Sequence, residues 1–407
     1  MKSSRLQFTL GLAVACAAII VCLPLCLQAQ TFTSLYSFCS VGNCTDGANP
    51  GGVIADTAGN LYGATIYGGA SSPNWVGGGV VFKLTPAGDE SVLYTFHNGV
   101  ALDGYWPYGS IAIDAQGNLY GTTERGGAHS IHVPHGDGIA FKVSPDGKET
   151  ILHSFGAFNS DGVEPFGGMV LDAKGNIYGT TYIGGVYAAG TLFKLTASGV
   201  ETVLHSFTDN GDDGSGPQAS LTMDSHGNLY GTTLGFSSPG TVFELTAGGS
   251  YQILHQFTGL GDGFAPLGSL TLDSQGNLYG TTYRGGNDVY PGAGTVFKLT
   301  SSSNGTWQET ILYNFIQQTP NCQNPDGNVV FDTHGNLYGT TGYGGAFGGG
   351  CLFKISPAGK FTIVHNFGEG TDGASPTGNL VFSQGNLYGT TAAGGVNSQG
   401  TVFKITP

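Results

Sequence analysis

The segment Gly-Asn-Leu/Ile-Tyr-Gly occurs seven times, opening at Gly59, Gly117, Gly175, Gly227, Gly276, Gly335 and Gly385, with spacings of 49 to 59 residues. Two further motifs keep the same count. Gly-x-x-Phe-Lys/Glu places Phe82, Phe141, Phe193, Phe243, Phe297, Phe353 and Phe403, and Leu/Val-His/Tyr-x-Phe ends at Phe38, Phe96, Phe155, Phe207, Phe257, Phe315 and Phe367. Each motif is rich in β-branched and aromatic residues, is bounded by Gly, Pro, Asn or Asp, and lacks a helical period, so each predicts a strand. One unit runs through Ser269–Asp273, a turn at Gln275–Asn277, Leu278–Thr282, a Gly-Gly loop, Thr295–Leu299 and Thr310–Phe315.

Four antiparallel strands per unit, repeated seven times, predict an all-β, seven-bladed β-propeller, because each small sheet can bury its two faces only against its neighbours. The 72 glycines among 407 residues then have fixed places in turns and close approaches. Only 10% of residues are charged and 40% are apolar, which supplies a core and argues against disorder. The ends complement one another: residues 31–38 read as a lone outer strand and residues 401–407 as a lone third strand. Pairing them completes the seventh blade and closes the ring without exposed edges.

Lys2 and Arg5 precede an apolar run from Phe8 to Leu27 that ends near Ala29, the order of an export signal. Residues 1–29 are expected to be removed, with an uncleaved anchor as the alternative, leaving residues 30–407 as one propeller domain without a membrane span. The formal charge of −14 excludes nucleic acid and anionic membrane surfaces as natural partners. Cys16, Cys22 and Cys26 fall in the signal, so Cys39, Cys44, Cys322 and Cys351 remain for an oxidising compartment. Of the three pairings, the short loop shared by Cys39 and Cys44 favours Cys39–Cys44 with Cys322–Cys351.

The Asp-x-x-Gly-Asn-Leu-Tyr turn preceded by Pro-x-Gly, as in residues 266–279, resembles the blades of NHL-type propellers. The longer signature, Gly-Asn-Leu-Tyr-Gly-Thr-Thr, then Gly-Gly, then Gly-Thr-Val-Phe-Lys-Leu-Thr, is similar to the Gloeo/Verruco tandem repeat of exported bacterial proteins, across residues 31–407. The resemblance implies a secreted, extracellular or cell-surface location. It carries no established activity and no catalytic residues.

With Ser269–Asp273 innermost, strand direction puts the connection into each blade and the Gly-Gly loop on one face. The Asp-x-x-Gly-Asn and Pro-x-Gly turns are expected on the other. Long, variable loops on a rigid scaffold carry binding, so the first face is the expected functional one. Its loops hold Trp75, Asp103, Tyr105, Trp106, Phe166, Tyr187, Phe264, Tyr290 and Phe347. Their rings are suited to stacking on sugars or packing on a protein.

Asp-Gly recurs there at Asp46, Asp103, Asp161, Asp213, Asp262 and Asp372, with Asn321-Cys322 in the remaining unit. Asp at these places folds a turn by bonding its own backbone. A loop inserted in the second blade carries His129, His132, His135 and Asp137, a candidate set for a divalent metal. His153, His205, His255 and His365 replace Tyr36, Tyr94 and Tyr313 of other units, a swap that predicts a buried hydrogen bond.

No Ser/His/Asp order and no paired carboxylates stand out, and the inner strands would line the channel with small and aliphatic residues. The expected function is an exported module binding an extracellular glycan or protein. The alternatives are a polysaccharide lyase or hydrolase using Asp and His of the long-loop face, and a structural envelope component.

Overall fold

The computed structural model describes residues 30–69, 77–98, 102–130, 136–211, 213–259, 261–286, 292–318 and 320–407. Seven four-stranded antiparallel sheets follow one another along the chain. The second is representative: Ala112–Ile113 innermost, then Leu119–Thr123, Ile139–Val143 and Glu149–Ser154 outermost. In the last sheet, Thr31–Ser37 pairs with Thr401–Thr406, Thr31 opposite Thr406 and Ser37 opposite Thr401. The seventh blade is therefore assembled from both ends of the described chain.

The repeated residues have repeated jobs. The Gly after Leu-Tyr has no side chain because a ring lies over it: a Cβ at Gly121 would stand 2.5 Å from Cζ of Phe141, and one at Gly280 2.6 Å from Phe297. These phenylalanines are fully buried and meet the outer-strand phenylalanine of the preceding blade edge-on, Phe96 and Phe141 at 5.0 Å between centroids. Such edge-to-face contacts bind blade to blade through the core. Of the two threonines that follow, the first donates to the next blade in the second, fifth and seventh blades, as Thr122 Oγ1 does to the Gly167 carbonyl at 3.1 Å. Thr390 Oγ1 does the same to Gly51 at 2.6 Å, tying the seventh blade to the first.

In the tight turns Asp114 Oδ1 accepts the amides of Gln116 and Asn118 at 2.9 and 2.8 Å, and Oδ2 accepts Asn118 Nδ2 at 2.7 Å. Burial works against the charge, yet these bonds hold the Asp114 carboxyl below the ordinary carboxylate range. Disulfides join Cys39 to Cys44 and Cys322 to Cys351, the expected pairing. Among the described residues no helix is long and apolar enough to cross a membrane.

One expectation needs correction. The Pro-x-Gly segments lie on the long-loop face, not beside the Gly-Asn turns. The Trp106 amide, next to Pro107, bonds Gly78 of the preceding blade's Gly-Gly loop at 2.9 Å, and its carbonyl accepts Glu124 N–H at 3.0 Å. The chain must cross the top of each sheet from the rim to the axis before starting the inner strand, and Pro-x-Gly is the last step of that crossing.

Candidate functional site

Because Pro-x-Gly ends at the axis, its middle residue faces the ring centre. Tyr108, Phe166, Gln218, Leu267, Asp326 and Thr377 occupy this position in the second to seventh blades, the fourth having Ala219 in place of the Gly, and all line one central cavity of about 500 Å³. The first blade's segment is one residue shorter and contributes Pro50, Gly51 and Gly52. The size falls in the range of small-ligand pockets.

A second tier just below narrows the cavity with Ser110, Ser220, Ser269 and Asn379. Asn379 Nδ2 donates to Ser110 Oγ at 2.8 Å, reaching from the seventh blade to the second past the first blade's glycines. Asn328 Oδ1 accepts the Leu380 amide at 2.8 Å. These bonds hold the throat rigid.

The upper tier has two unlike sides. Tyr108 meets Phe166 edge-on at 5.4 Å, Phe166 meets Tyr182 at 5.4 Å, and Tyr182 meets Phe236 at 5.2 Å, an aromatic arc over the second to fourth blades. Roughly opposite, from the sixth blade, stands Asp326. Its Oδ1 is shielded from solvent and has no hydrogen-bond partner among the described residues. Burial pushes this carboxyl up to about 7, against the pull of the Asp326 and Gly327 amides. A carboxyl oxygen left unpartnered across from an aromatic wall is a polar handle waiting for a donor. Arg125, by contrast, is committed to Glu124 and Glu164 at 2.9 and 2.8 Å.

The residues singled out in the sequence are placed more widely. Phe166 lines the cavity, while Trp106 packs edge-on against Tyr67 at 6.1 Å and Tyr105 at 5.2 Å. Tyr105 is buried in the core between the first two blades. Tyr187 and Phe347 are more than half exposed on outer loops, and Phe264 pairs through its backbone with Arg284. Trp75, Tyr290, His132 and His135 lie outside the described residues. Asp137 is fully buried with its amide bonded to the His129 carbonyl at 3.0 Å, and its carboxylate lies against Gly156. Sequence reasoning missed Tyr108, Gln218 and Asp326. The signal was present: the x of Pro-x-Gly differs in every unit while its neighbours repeat.

The six Asp-Gly carboxylates fold their turns, as expected. Asp103 Oδ2 accepts the His97 amide at 2.8 Å, and Asp161 and Asp372 accept the amides of Ala157 and Gly368 at 2.9 and 3.0 Å. They also meet the His or Tyr of the preceding outer strand and a residue at or near the start of the next. At the Asp103 group Tyr94 Oη donates to Glu149 at 2.8 Å. Burial first, then the Asp103 charge, pushes Glu149 up to about 7, and Glu90 beside Asp46 is raised to the same level for the same reasons.

Between the unfolded value of 4.5 and about 7 the native state binds the extra protons, so the contribution of these groups is full below pH 4.5 and is lost as pH rises through 7. Each group contributes up to about 3 kcal/mol. Thermal melting in chelator should show a higher midpoint at pH 5 than at pH 8. Glu149→Gln should reduce that slope, leaving the part due to Glu90, and an unchanged slope would refute the assignment.

Fold and cavity together define a closed seven-bladed propeller with a walled axial pocket. The chain belongs to the Gloeobacter/Verrucomicrobia repeat family, whose model matches residues 25–157, 130–290 and 234–407. No curated protein matches it. Among solved structures it is similar to the extracellular domain of a hybrid two component system from B. thetaiotaomicron, with 15% identity and a TM-score of 0.56, covering 93% of this chain and 41% of that one. A gluconolactonase from Xanthomonas campestris is 16% identical with a TM-score of 0.43, covering 72% of this chain and 82% of the other. These likenesses concern the fold alone.

Proposed function

We propose that this protein is an exported binding module that takes a sugar residue of an extracellular glycan into the axial cavity on its long-loop face. The observation that supports this reading is the ring of Pro-x-Gly middle residues: one position varies from blade to blade on an otherwise repeated scaffold, and it is the position that lines the pocket. Its aromatic side suits the apolar face of a pyranose. Gln218, Thr377, Asn379 and Asp326 supply the donors and acceptors that hydroxyl groups require. Export rests on the character of residues 1–29 and agrees with two disulfides.

The test is a glycan array followed by titration of the best hit. Tyr108→Ala should weaken binding about tenfold, Asp326→Asn should change the preferred sugar, and Tyr187→Ala on an outer loop should do neither. Binding that survives Tyr108→Ala and Asp326→Asn, or is lost with Tyr187→Ala, would refute the cavity as the site.

A second reading, a polysaccharide lyase or hydrolase, is favoured by one feature: a carboxyl raised to about 7 is poised to give or take a proton at neutral pH. It predicts unsaturated or reducing-end products that vanish in Asp326→Asn while binding persists.

A further inference from the structure

The outer rim repeats a three-residue contact between neighbouring blades. It consists of the His or Tyr near the end of one outer strand, the Asp of the following connection, and a residue at or near the start of the next outer strand. Where that third residue is aromatic, the histidine lies flat on it and keeps a short bond to Asp. His205 stacks on Tyr251 at 3.8 Å and reaches Asp213 at 3.0 Å; His365 stacks on Phe32 at 4.0 Å and reaches Asp372 at 2.8 Å.

Where the third residue is Glu, the histidine behaves differently. His153 Nε2 lies 3.3 Å from Asp161 Oδ2 and 3.6 Å from Glu201 Oε2, and His255 Nε2 lies 3.7 Å from both Asp262 and Glu309. Charge-assisted hydrogen bonds run about 2.7–2.9 Å, and these contacts are longer. They are close to the edges of a tetrahedron around an ion with ligands at about 2.0–2.2 Å, which measure roughly 3.3–3.6 Å.

In each trio the three ligand atoms lie within 4.8 Å of one another. Asp161 is 0% exposed, and its Oδ1 and Glu201 Oε1 have no hydrogen-bond partner among the described residues; nor do His255 Nε2 and Glu309 Oε1. Asp161 is buried and Glu201, Asp262 and Glu309 are half-buried; two carboxylates held against one imidazole, bridged only by contacts of 3.3 to 3.7 Å, are costly unless a cation neutralises them.

We propose that His153, Asp161 and Glu201 bind a divalent transition ion, best fitted by zinc, between the second and third blades, and that His255, Asp262 and Glu309 bind a second between the fourth and fifth. The mixed nitrogen and oxygen set suits zinc, and a water completes each tetrahedron. A dication with two carboxylates and a neutral imidazole is uncharged as a unit. The ions staple neighbouring blades at the rim, away from the axial cavity, so the inference stands apart from the glycan reading.

The experiment is zinc titration of untagged, chelator-stripped protein by calorimetry, with bound zinc counted after gel filtration and folding checked by near-ultraviolet circular dichroism. The wild type should bind two ions per chain and melt several degrees higher with them. His153→Ala should leave one ion and His153→Ala with His255→Ala none, while His205→Ala leaves both. Glu201→Gln, which keeps the side-chain volume, should weaken the first site by more than about 100-fold. Absence of zinc binding by folded wild type, two ions retained in the double variant, or loss of zinc on His132→Ala with His135→Ala instead would overturn the proposal.

Discussion

Deletion of residues 30–38 should abolish the cooperative unfolding transition and leave a chain that self-associates. Thr31–Ser37 forms the outer strand of the seventh blade, so its loss leaves Thr401–Thr406 as an open edge with unpaired backbone groups. Phe38 is fully buried against Phe82 of the first blade at 5.0 Å, and Phe32 stacks on His365 of the sixth. Removing one buried phenylalanine costs about 3–5 kcal/mol. That loss, the half-buried Phe32 and six strand pairings together rival the whole stability of a domain, about 5–15 kcal/mol. The check is calorimetry with light scattering, followed by addition of a peptide spanning residues 30–38. Recovery of a transition with the peptide identifies the strand as the clasp; a deletion variant that melts like the wild type would show that the ring does not depend on it.

The second large effect is expected from Phe141→Ala, which should lower stability by about 3–5 kcal/mol in denaturant titration. Phe141 fills the space above Gly121 and touches Phe96 of the preceding blade, so its removal opens a cavity at an interface between blades. The reverse lesion is Gly121→Ala. That glycine has no positive φ, so alanine fits the backbone and the damage comes from the ring alone. Combining Gly121→Ala with Phe141→Leu should recover part of the loss, because the smaller side chain makes room for the methyl group. Strict additivity of the two losses would refute the packing account.

The predictions differ in how much of them could be read from the chain. The Gly-Asn turns and the Phe-bearing strands are local patterns repeated seven times, so repetition averages out the ambiguity of any one copy, and the complementary ends are recognisable as fragments of the same unit. Strand pairing followed from them, and the disulfide pairing from the short loop that Cys39 and Cys44 share. The aromatic loop residues were harder to place. Tyr105 and Phe166 look alike in sequence, yet one fills the core and the other lines the cavity, since a loop's local pattern does not say which way its side chains turn. Assigning Pro-x-Gly to the wrong face hid Tyr108 and Asp326, although their position was the most variable in the repeat.

The rim histidines show the same division. Their alternation with tyrosine predicted a buried hydrogen bond, and His205 and His365 make one with Asp. That His153 and His255 each face a glutamate from the next blade depends on the register between sheets about 50 residues apart in sequence. By itself the sequence determined the strand count, the blade count, the turns and the closure, because those rest on periods of two and of one blade along the chain. Only the tertiary structure decided which residues meet at the axis and at the rim. Those contacts join blades rather than neighbours in sequence, and no local period encodes them.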